Sequence, residues 1–279
     1  MFERITDAIV ELILKDESFI DFASYPLRGT QATGVIVLKS EYAVLSGSQI
    51  VKNVLRRFSI ESEFYYNDGD VICQNSSNII AKLSGDAYNL LICERTILNV
   101  LSFMSSVATK VRRLVDVTKQ ANLKIKIAAT RKTIPFAGEL QKLAVIHGGG
   151  DTHRLNLSDC AMIKDNHIKL YGSISKAVEE VRKNLSFTKK IEVEVEDEEM
   201  AFEACKAGAD IIMLDNFKPE KACKVAKKIK EQFPHVLIEI SGGVNPDNIQ
   251  EYLCNYVDVI SIGKITSEVK YIDFSFDII

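Results

Sequence analysis

IEVEVEDEEMAFEACKAGADIIMLDNFKPEKACKVAKKIKEQFPHVLIEIS, residues 191–241, carries the reading of the fold. Ile191–Glu196 alternates apolar and acidic residues, the period of a strand. Glu198–Ala207 then takes helical spacing and stops at Gly208, the residue type that tolerates the left-handed turn after a helix. Ile211–Asp215 reads as a second strand. Pro219–Gln232 is a helix opened by a first-turn proline, and Val236–Ser241 is a third strand. Such repeats demand a parallel sheet, doubly wound or closed into a barrel. The alternation extends both ways. Upstream lie strands Ile125–Thr130 and Ala161–Lys164 and a helix Ile174–Lys183; downstream lie a helix Pro246–Tyr252 and a strand Val257–Gly263. A barrel is favoured, because polar residues gather at the C-terminal ends of successive strands, where barrel enzymes place their sites.

The first third has a different texture. Residues 4–15 space Ile5, Ala8, Ile9, Leu12 and Ile13 as an amphipathic helix. Gly34–Leu38 and Ala43–Leu45 read as strands, and Ser48–Phe58 as a helix with Ser48 as candidate N-cap. Further strands are expected at Phe64–Tyr66, Val71–Cys73 and Ile79–Leu83, with an Asn67-Asp68-Gly69 turn between the first two. This part is expected to be α+β around an antiparallel sheet. A long helical pattern runs from Asp86 to about Asn122, with a break expected near Ser105-Ser106 because so long a helix is unusual in a globular domain. The expected division is residues 1–105 and 106–269.

Of 279 residues, 47% are hydrophobic and 26% charged, the profile of a globular protein, and the net charge of -3 argues against nucleic acid as the main partner. Arg4, Asp7 and Glu11 interrupt the first segment, so no signal peptide is expected, and no apolar run reaches the ~18 residues of a membrane span. The expected compartment is the cytoplasm. The six cysteines show no CxxC or metal-finger spacing, and buried free thiols are the expected state.

Against this acidic background the cations between residues 130 and 167 stand out. Thr130-Arg131-Lys132-Thr133, Gly148-Gly149-Gly150-Asp151-Thr152-His153-Arg154 and Ile163-Lys164-Asp165-Asn166-His167 set them beside strand ends and glycine turns. That suits a concave site for a small polyanion. For any one strand end, a solvated cap is the plainer explanation; six in succession are harder to explain so. Ser241-Gly242-Gly243 and Ser261-Ile262-Gly263 follow the last two strands, where barrel loops commonly offer backbone N–H groups to a phosphate; two ordinary turns are the alternative. Glu192, Glu194 and Glu196 share one strand face, either solvent-exposed or turned inward toward sugar hydroxyls or a metal. Glu194 and Asp215 are the best-placed pair, and Mg²⁺ held chiefly through substrate phosphates fits them better than a closed protein cage. His153 and His167 lack metal spacing, and there is no GxSxG or Cys–His arrangement. Glu94-Arg95 reads, from spacing, as an exposed intrahelical pair.

CERTILN (Cys93–Asn99), TRKT (Thr130–Thr133), LQKLAVIHGGGDTHR (Leu140–Arg154), IKDNHI (Ile163–Ile168), EVEVE (Glu192–Glu196), GADIIMLDN (Gly208–Asn216) and ISGGVN (Ile240–Asn245) together resemble the quinolinate phosphoribosyltransferase family, in family order over residues 87–267. The resemblance implies an N-terminal α+β sandwich joined to an incomplete α/β barrel, with YIDFSFDII (residues 271–279) returning to the first domain. It implies a pentosyltransferase that joins quinolinate to phosphoribosyl pyrophosphate with Mg²⁺, releasing nicotinate mononucleotide, pyrophosphate and CO₂. By motif, Arg131, Lys132, His153 and Arg154 would hold the quinolinate carboxylates, with Lys164 near the pyrophosphate and reacting centre. Glu194 and Asp215 would face the ribose and metal. Ser241, Gly242, Gly243 and Gly263 would bind the 5-phosphate, and Arg95 would enter the neighbouring subunit of a homodimer. Lys132, Lys164, Glu194 and Asp215 are the implied catalytic residues. The chain departs from the family pattern at Ala129, where Asp is usual, at Ser267, where His is common, and over residues 15–34, which keep little of the usual acidic, glycine-containing segment. The alternatives are an enzyme of the related molybdate-transport-associated branch acting on another acceptor, or a non-catalytic nucleotide-binding protein.

Overall fold

A computed structural model describes residues 2–73 and 78–279. In chain order, α1 (Phe2–Glu17), β1 (Gln31–Leu38), β2 (Tyr42–Val44), α2 (Ser48–Arg57), β3 (Glu61–Phe64), β4 (Val71–Cys73) and β5 (Ile79–Asp86) lead into α3 (Ala87–Gln120). Then follow β6 (Lys126–Ala128), α4 (Gly138–His147), β7 (Ala161–Ile163), α5 (Asp165–Tyr171), α6 (Ile174–Asn184), β8 (Ile191–Val195), α7 (Glu198–Lys206) and β9 (Ile211–Asp215). The chain ends with α8 (Pro219–Gln232), β10 (Leu237–Ser241), a 3₁₀ turn (Ile249–Tyr252), β11 (Val259–Ser261), α9 (Lys264–Ser267) and β12 (Phe274–Ile278). Two compact units result: residues 1–110, 146–149 and 269–279, and residues 111–145 and 150–268.

The first unit holds an antiparallel sheet in the order β12-β1-β5-β3 and a separate β2–β4 pair. The last strand pairs with β1, Gly34 opposite Ile278 and Leu38 opposite Phe274. In α1, Ile5, Ile9 and Ile13 are buried, but Ala8 and Leu12 face solvent, so the buried stripe is narrower than the spacing predicts. Ser48 is not the cap of α2. The N-cap is Gly47, in the left-handed region, and the free N–H groups of Ser48 and Gln49 are taken by the Asp68 carboxylate at 2.8 and 3.4 Å. The Asn67–Gly69 turn therefore caps a helix; the strands on either side of it do not pair with each other, β3 lying on β5 and β4 on β2. The strand expected at Phe64–Tyr66 starts earlier, at Glu61.

α3 runs through Ser105-Ser106 without the expected break. Both hydroxyls leave the helix backbone alone: Ser105 Oγ accepts from Ser46 N–H at 3.0 Å and Ser106 Oγ donates to the Lys270 carbonyl at 2.5 Å. Polar side chains with tertiary partners do not compete with the helix ladder. The most apolar window of α3 is 67% buried, as in the core helix of a folded domain.

The second unit is a six-stranded parallel sheet in the order β6-β11-β10-β9-β8-β7. The first strand pairs with the last, and only an isolated Ala128–Asp151 bridge extends the β6 edge, so the sheet is an incomplete barrel. Its strands alternate strictly. Ile191, Val193, Val195, Ile212, Leu214, Ile238 and Ile240 are fully buried. Their neighbours Glu192, Glu194, Met213, Asp215, Glu239 and Ser241 line cavities within the barrel. One expected helix is not one: Pro246–Tyr252 forms only the 3₁₀ turn, because Asn245 and Asn248 hold the preceding loop by backbone and side-chain hydrogen bonds. Cys223 of α8 and Cys254 after that turn form a disulfide, which corrects the expectation of free thiols; their separation of 31 residues hid the proximity of the two segments. Cys93 and Cys205 are buried and free, Cys160 is partly buried, and Cys73 is exposed.

Candidate active site

A cleft of about 370 Å³ opens among the C-terminal ends of the barrel strands. Arg131, Lys132, His153, Arg154, Lys164, Glu194, Asp215 and Ser241 line it, together with Thr130, Met162, Met213, Glu239 and Ser261. A wider hollow of 720 Å³ between the end of α3 and the 3₁₀ turn has no charged side chain in its wall, so it does not suit a polyanion. Gly242, Gly243 and Gly263 sit in the loops beside the cleft and are not part of its wall. Arg95 lies on α3 in the first unit with its side chain 68% exposed.

The loop after β6 is held from several sides. Thr130 Oγ1 accepts from Lys132 N–H at 3.1 Å, Thr266 Oγ1 donates to the Lys132 carbonyl at 2.8 Å, and Gln141 Oε1 accepts from Ile134 N–H at 2.9 Å. Gly263 leaves room for Lys132: a Cβ there would lie 3.1 Å from Lys132 Cδ. Arg131 and Lys132 are exposed and make no ion pair among the described residues, so their charge is open to a ligand.

The glycine turn after α4 delivers His153 and Arg154. Asp151 Oδ1 accepts from His153 N–H at 2.8 Å, and Lys142 donates its ammonium to the Thr152 carbonyl. His153 takes a positive φ of 57°, which the hydrogen-bonded loop enforces. Its Nε2 lies 2.9 Å from Glu239 and 3.5 Å from Glu192. Burial opposes the imidazolium charge, but the close carboxylates of Glu192 and Glu239, the latter hydrogen-bonded to Nε2, outweigh it and raise the His153 pKa to about 10. Arg154 is nearly buried, its guanidinium directed to the Cys160 carbonyl at 3.4 Å and the Met162 sulfur at 3.2 Å. Lys142, buried and close to Arg131 and Arg154, falls to about 8.

β7, β8 and β9 bring Lys164, Glu194 and Asp215 to the opposite wall. Lys164 is the N-cap of α5, where His167 Nδ1 accepts the Lys164 N–H at 3.1 Å; His167 is a helix cap that fixes Lys164. The Lys164 ammonium pairs with Glu194. Asp215 is raised above its ordinary value, first by burial and then by Glu194. Asn216 donates to Asp215 Oδ2 at 2.7 Å, and Gly242 is what admits Asn216: φ there is +79°, and a Cβ would meet Asn216 Oδ1 at 2.3 Å.

Cations from the β6 loop and the glycine turn thus face acids from β8 and β9 across one cleft. A polyanion held by the first set would present a centre that gains positive charge to the second. The family models of the quinolinate phosphoribosyl transferase N-terminal and C-terminal domains match residues 20–105 and 107–277. The chain belongs to the quinolinate phosphoribosyl transferase family. It is 42% identical over 276 residues to a probable carboxylating nicotinate-nucleotide pyrophosphorylase of Methanothermobacter thermautotrophicus, covering 98% of each chain. It is 35% identical to the carboxylating nicotinate-nucleotide pyrophosphorylase of Dictyostelium discoideum over 99% of this chain and 96% of that one. The nicotinate-nucleotide pyrophosphorylase structure from Francisella tularensis superposes with a TM-score of 0.92 at 32% identity, over 100% of this chain and 97% of that one. The residues of this family member that sequence reasoning passed over are Glu239, Lys142, Met162 and Met213. The one signal for Glu239 is an acid between Ile238 and Ile240, which shows a polar strand face but not its partner His153, 86 residues away.

Proposed function

We propose that the chain transfers a phosphoribosyl group from phosphoribosyl pyrophosphate to quinolinate and decarboxylates the product to nicotinate mononucleotide, a step of NAD biosynthesis. The observation that carries this is the single cleft walled by Arg131, Lys132, His153 and Arg154 on one side and Glu194 and Asp215 on the other, in a chain of this family. Quinolinate brings two carboxylates, which need several cations at fixed spacing. In the proposed sequence the ring nitrogen bonds to the ribose C1 while the C1–pyrophosphate oxygen bond breaks. Positive charge that develops at C1 and the ring oxygen is met by Glu194 and Asp215, and Lys164 faces the departing oxygen. The C2–carboxylate bond of the pyridinium then breaks; its electron pair stays at C2 beside the cationic nitrogen, CO₂ leaves, and C2 takes a proton. Catalysis on this account is positioning plus fixed charge. Ser241, Gly242, Gly243 and Gly263 are assigned to the 5-phosphate.

Glu194 and Asp215 also fit Mg²⁺. They are two carboxylates on adjacent strands, Asp215 raised partly by Glu194, so a divalent ion brought by pyrophosphate would relieve their repulsion. When bound, the ion would neutralise pyrophosphate charge. A homodimer belongs to the same proposal, the partner subunit's Arg95 completing the cleft. The exposed Phe19 and Phe22, 91% and 83% accessible, and Leu170, 87% accessible, are apolar surface that a second copy would cover. The proposed compartment is the cytoplasm. The test is product analysis: with Mg²⁺ and phosphoribosyl pyrophosphate, quinolinate is expected to give nicotinate mononucleotide. Binding of quinolinate without turnover would favour a non-catalytic protein instead.

A further inference from the structure

Below the cleft, inside the barrel, lies a charge cluster that substrate contacts alone do not explain. Glu192 and Glu239 are 0% and 2% exposed, and Oε1 of each has no hydrogen-bond partner. Among the described residues, His153 alone forms an ion pair with either. The three side chains bring one donor atom apiece within 4.8 Å of one another. A buried carboxylate without a partner costs several kcal/mol. Burial, and then Glu239, raise Glu192 above the ordinary carboxylate range against the lowering contact of His153, so the two acids need either a proton or a cation between them. Arg154 is near but is spent on the Cys160 carbonyl and Met162. Lys164 is paired with Glu194 on the cleft side. A second cavity of about 390 Å³ reaches the cluster from the N-terminal side of the sheet; there Lys126 is paired with Asp151 and Asp258 with Lys230. Lys124 also lines that cavity, and the Cys160 thiol, pushed up to about 11 by burial and by Glu192, adds no charge at neutral pH. Lys124 is exposed and pairs with neither acid, and the cation in contact with them among the described residues is His153.

We infer that Glu192 and Glu239 are positioning residues that hold His153 as an imidazolium in one ring orientation, so that Nε2 is committed to the barrel interior and Nδ1–H is left as a charged donor for an acceptor carboxylate in the cleft. The charge state of His153 follows from the cluster alone; the identity of the acceptor rests on the proposed function. A histidine with its ordinary value near 6.5 would lose its charge across neutral pH and with it the carboxylate contact. Two buried acids, one on β8 and one on β10, remove that dependence without placing a second lysine or arginine where the acceptor ring must sit.

The chain has four histidines, so ¹⁵N-histidine NMR of the full chain resolves the question, with His153→Gln assigning the signal. The wild-type His153 ring is expected to stay doubly protonated to above about pH 8.5, while Glu239→Gln and Glu192→Gln each lower its titration midpoint by about one to three units. In turnover, Glu239→Gln is expected to raise the quinolinate KM about tenfold at pH 8 and less near pH 6, where the ring is charged in both proteins, with the phosphoribosyl pyrophosphate KM little changed. A wild-type ring that titrates near its ordinary value overturns the inference, and needs no variant to fold. So does an unchanged titration in both glutamine variants. Uptake of one equivalent of Zn²⁺ with loss of the imidazolium signal would also overturn it, since the cluster would then be a metal site. Failure to turn over quinolinate strikes the proposed function while leaving the His153 result standing.

Discussion

At the scale of residues, the side chains that could be read from sequence are those whose neighbours betray them. Arg131, Lys132 and Lys164 follow short strands, and His153 and Arg154 follow three glycines, so their placement at a strand mouth was legible. Glu194 and Asp215 were legible from alternation and from the ends of β8 and β9. Glu239 was not, because IEIS read in isolation is an ordinary strand, and its partnership with His153 spans 86 residues. Ala129, where the family usually has an acid, is fully buried, donates its N–H to the Asp151 carbonyl at 2.9 Å and does not line the cleft. Replacing Arg131 by Ala should weaken quinolinate binding by about 2–5 kcal/mol, since it strands a desolvated carboxylate; calorimetric titration measures it, and unchanged affinity would remove Arg131 from the site. His153 makes a prediction about stability. Its folded pKa, about 10, lies above its unfolded value near 6.5, so its contribution is fully present below about pH 6.5 and is lost as pH rises to about 10. Unfolding at pH 8 should therefore release about one more proton from the wild type than from the Glu192→Gln/Glu239→Gln double variant, in which the ring is already neutral. Calorimetry in two buffers of different ionisation enthalpy reads this count, and equal counts would contradict it.

At the scale of elements, periodicity located nearly every strand of the barrel to within two or three residues. It failed where the deciding partner was distant. The Ser105-Ser106 pair looked like a weak point, yet both hydroxyls have tertiary partners and α3 continues. Pro246 looked like a helix start, yet Asn245 and Asn248 close a turn around it. Ser48 looked like a cap, but the cap comes from Asp68, 20 residues downstream. Asp68→Ala should accordingly cost about 0.5–2 kcal/mol of stability, in the range of other lost helix caps. Chemical denaturation of the full chain reads that loss, and a stability within error of wild type would mean that Asp68 does not cap α2. The α4 and α5 helices are not legible in the sequence because motif residues interrupt their apolar pattern: Gln141 and Lys142 are buried polar residues in α4, and α5 has only about two turns, started by the His167 cap.

At the scale of the molecule, the barrel explains how an acidic chain makes a cationic site. Alternation sends the β-branched face outward against helices and the polar face inward, and the six parallel strands bring their C-terminal ends to one mouth. That much follows from the strand–helix repeat. The missing pairing between β6 and β7, the two edges of the sheet, leaves the barrel incomplete and is a topological fact that periodicity does not contain. Assembly gives its own prediction. If the partner subunit's Arg95 completes each cleft, mixing Arg95→Ala with Arg131→Ala chains should restore activity, because a hybrid dimer holds one cleft with both residues intact; no restoration in mixtures shown to exchange subunits would count against a shared site.

The central claim is that this cleft joins quinolinate to a phosphoribosyl group and removes the 2-carboxylate. Quinolinate labelled with ¹³C at that carboxylate, incubated with phosphoribosyl pyrophosphate and Mg²⁺, tests it most directly, with nicotinate as a parallel acceptor. The account predicts labelled CO₂ and nicotinate mononucleotide in equal amounts from quinolinate and no comparable turnover of nicotinate. Consumption of nicotinate in preference to quinolinate, or nucleotide formed with the label retained, would contradict it.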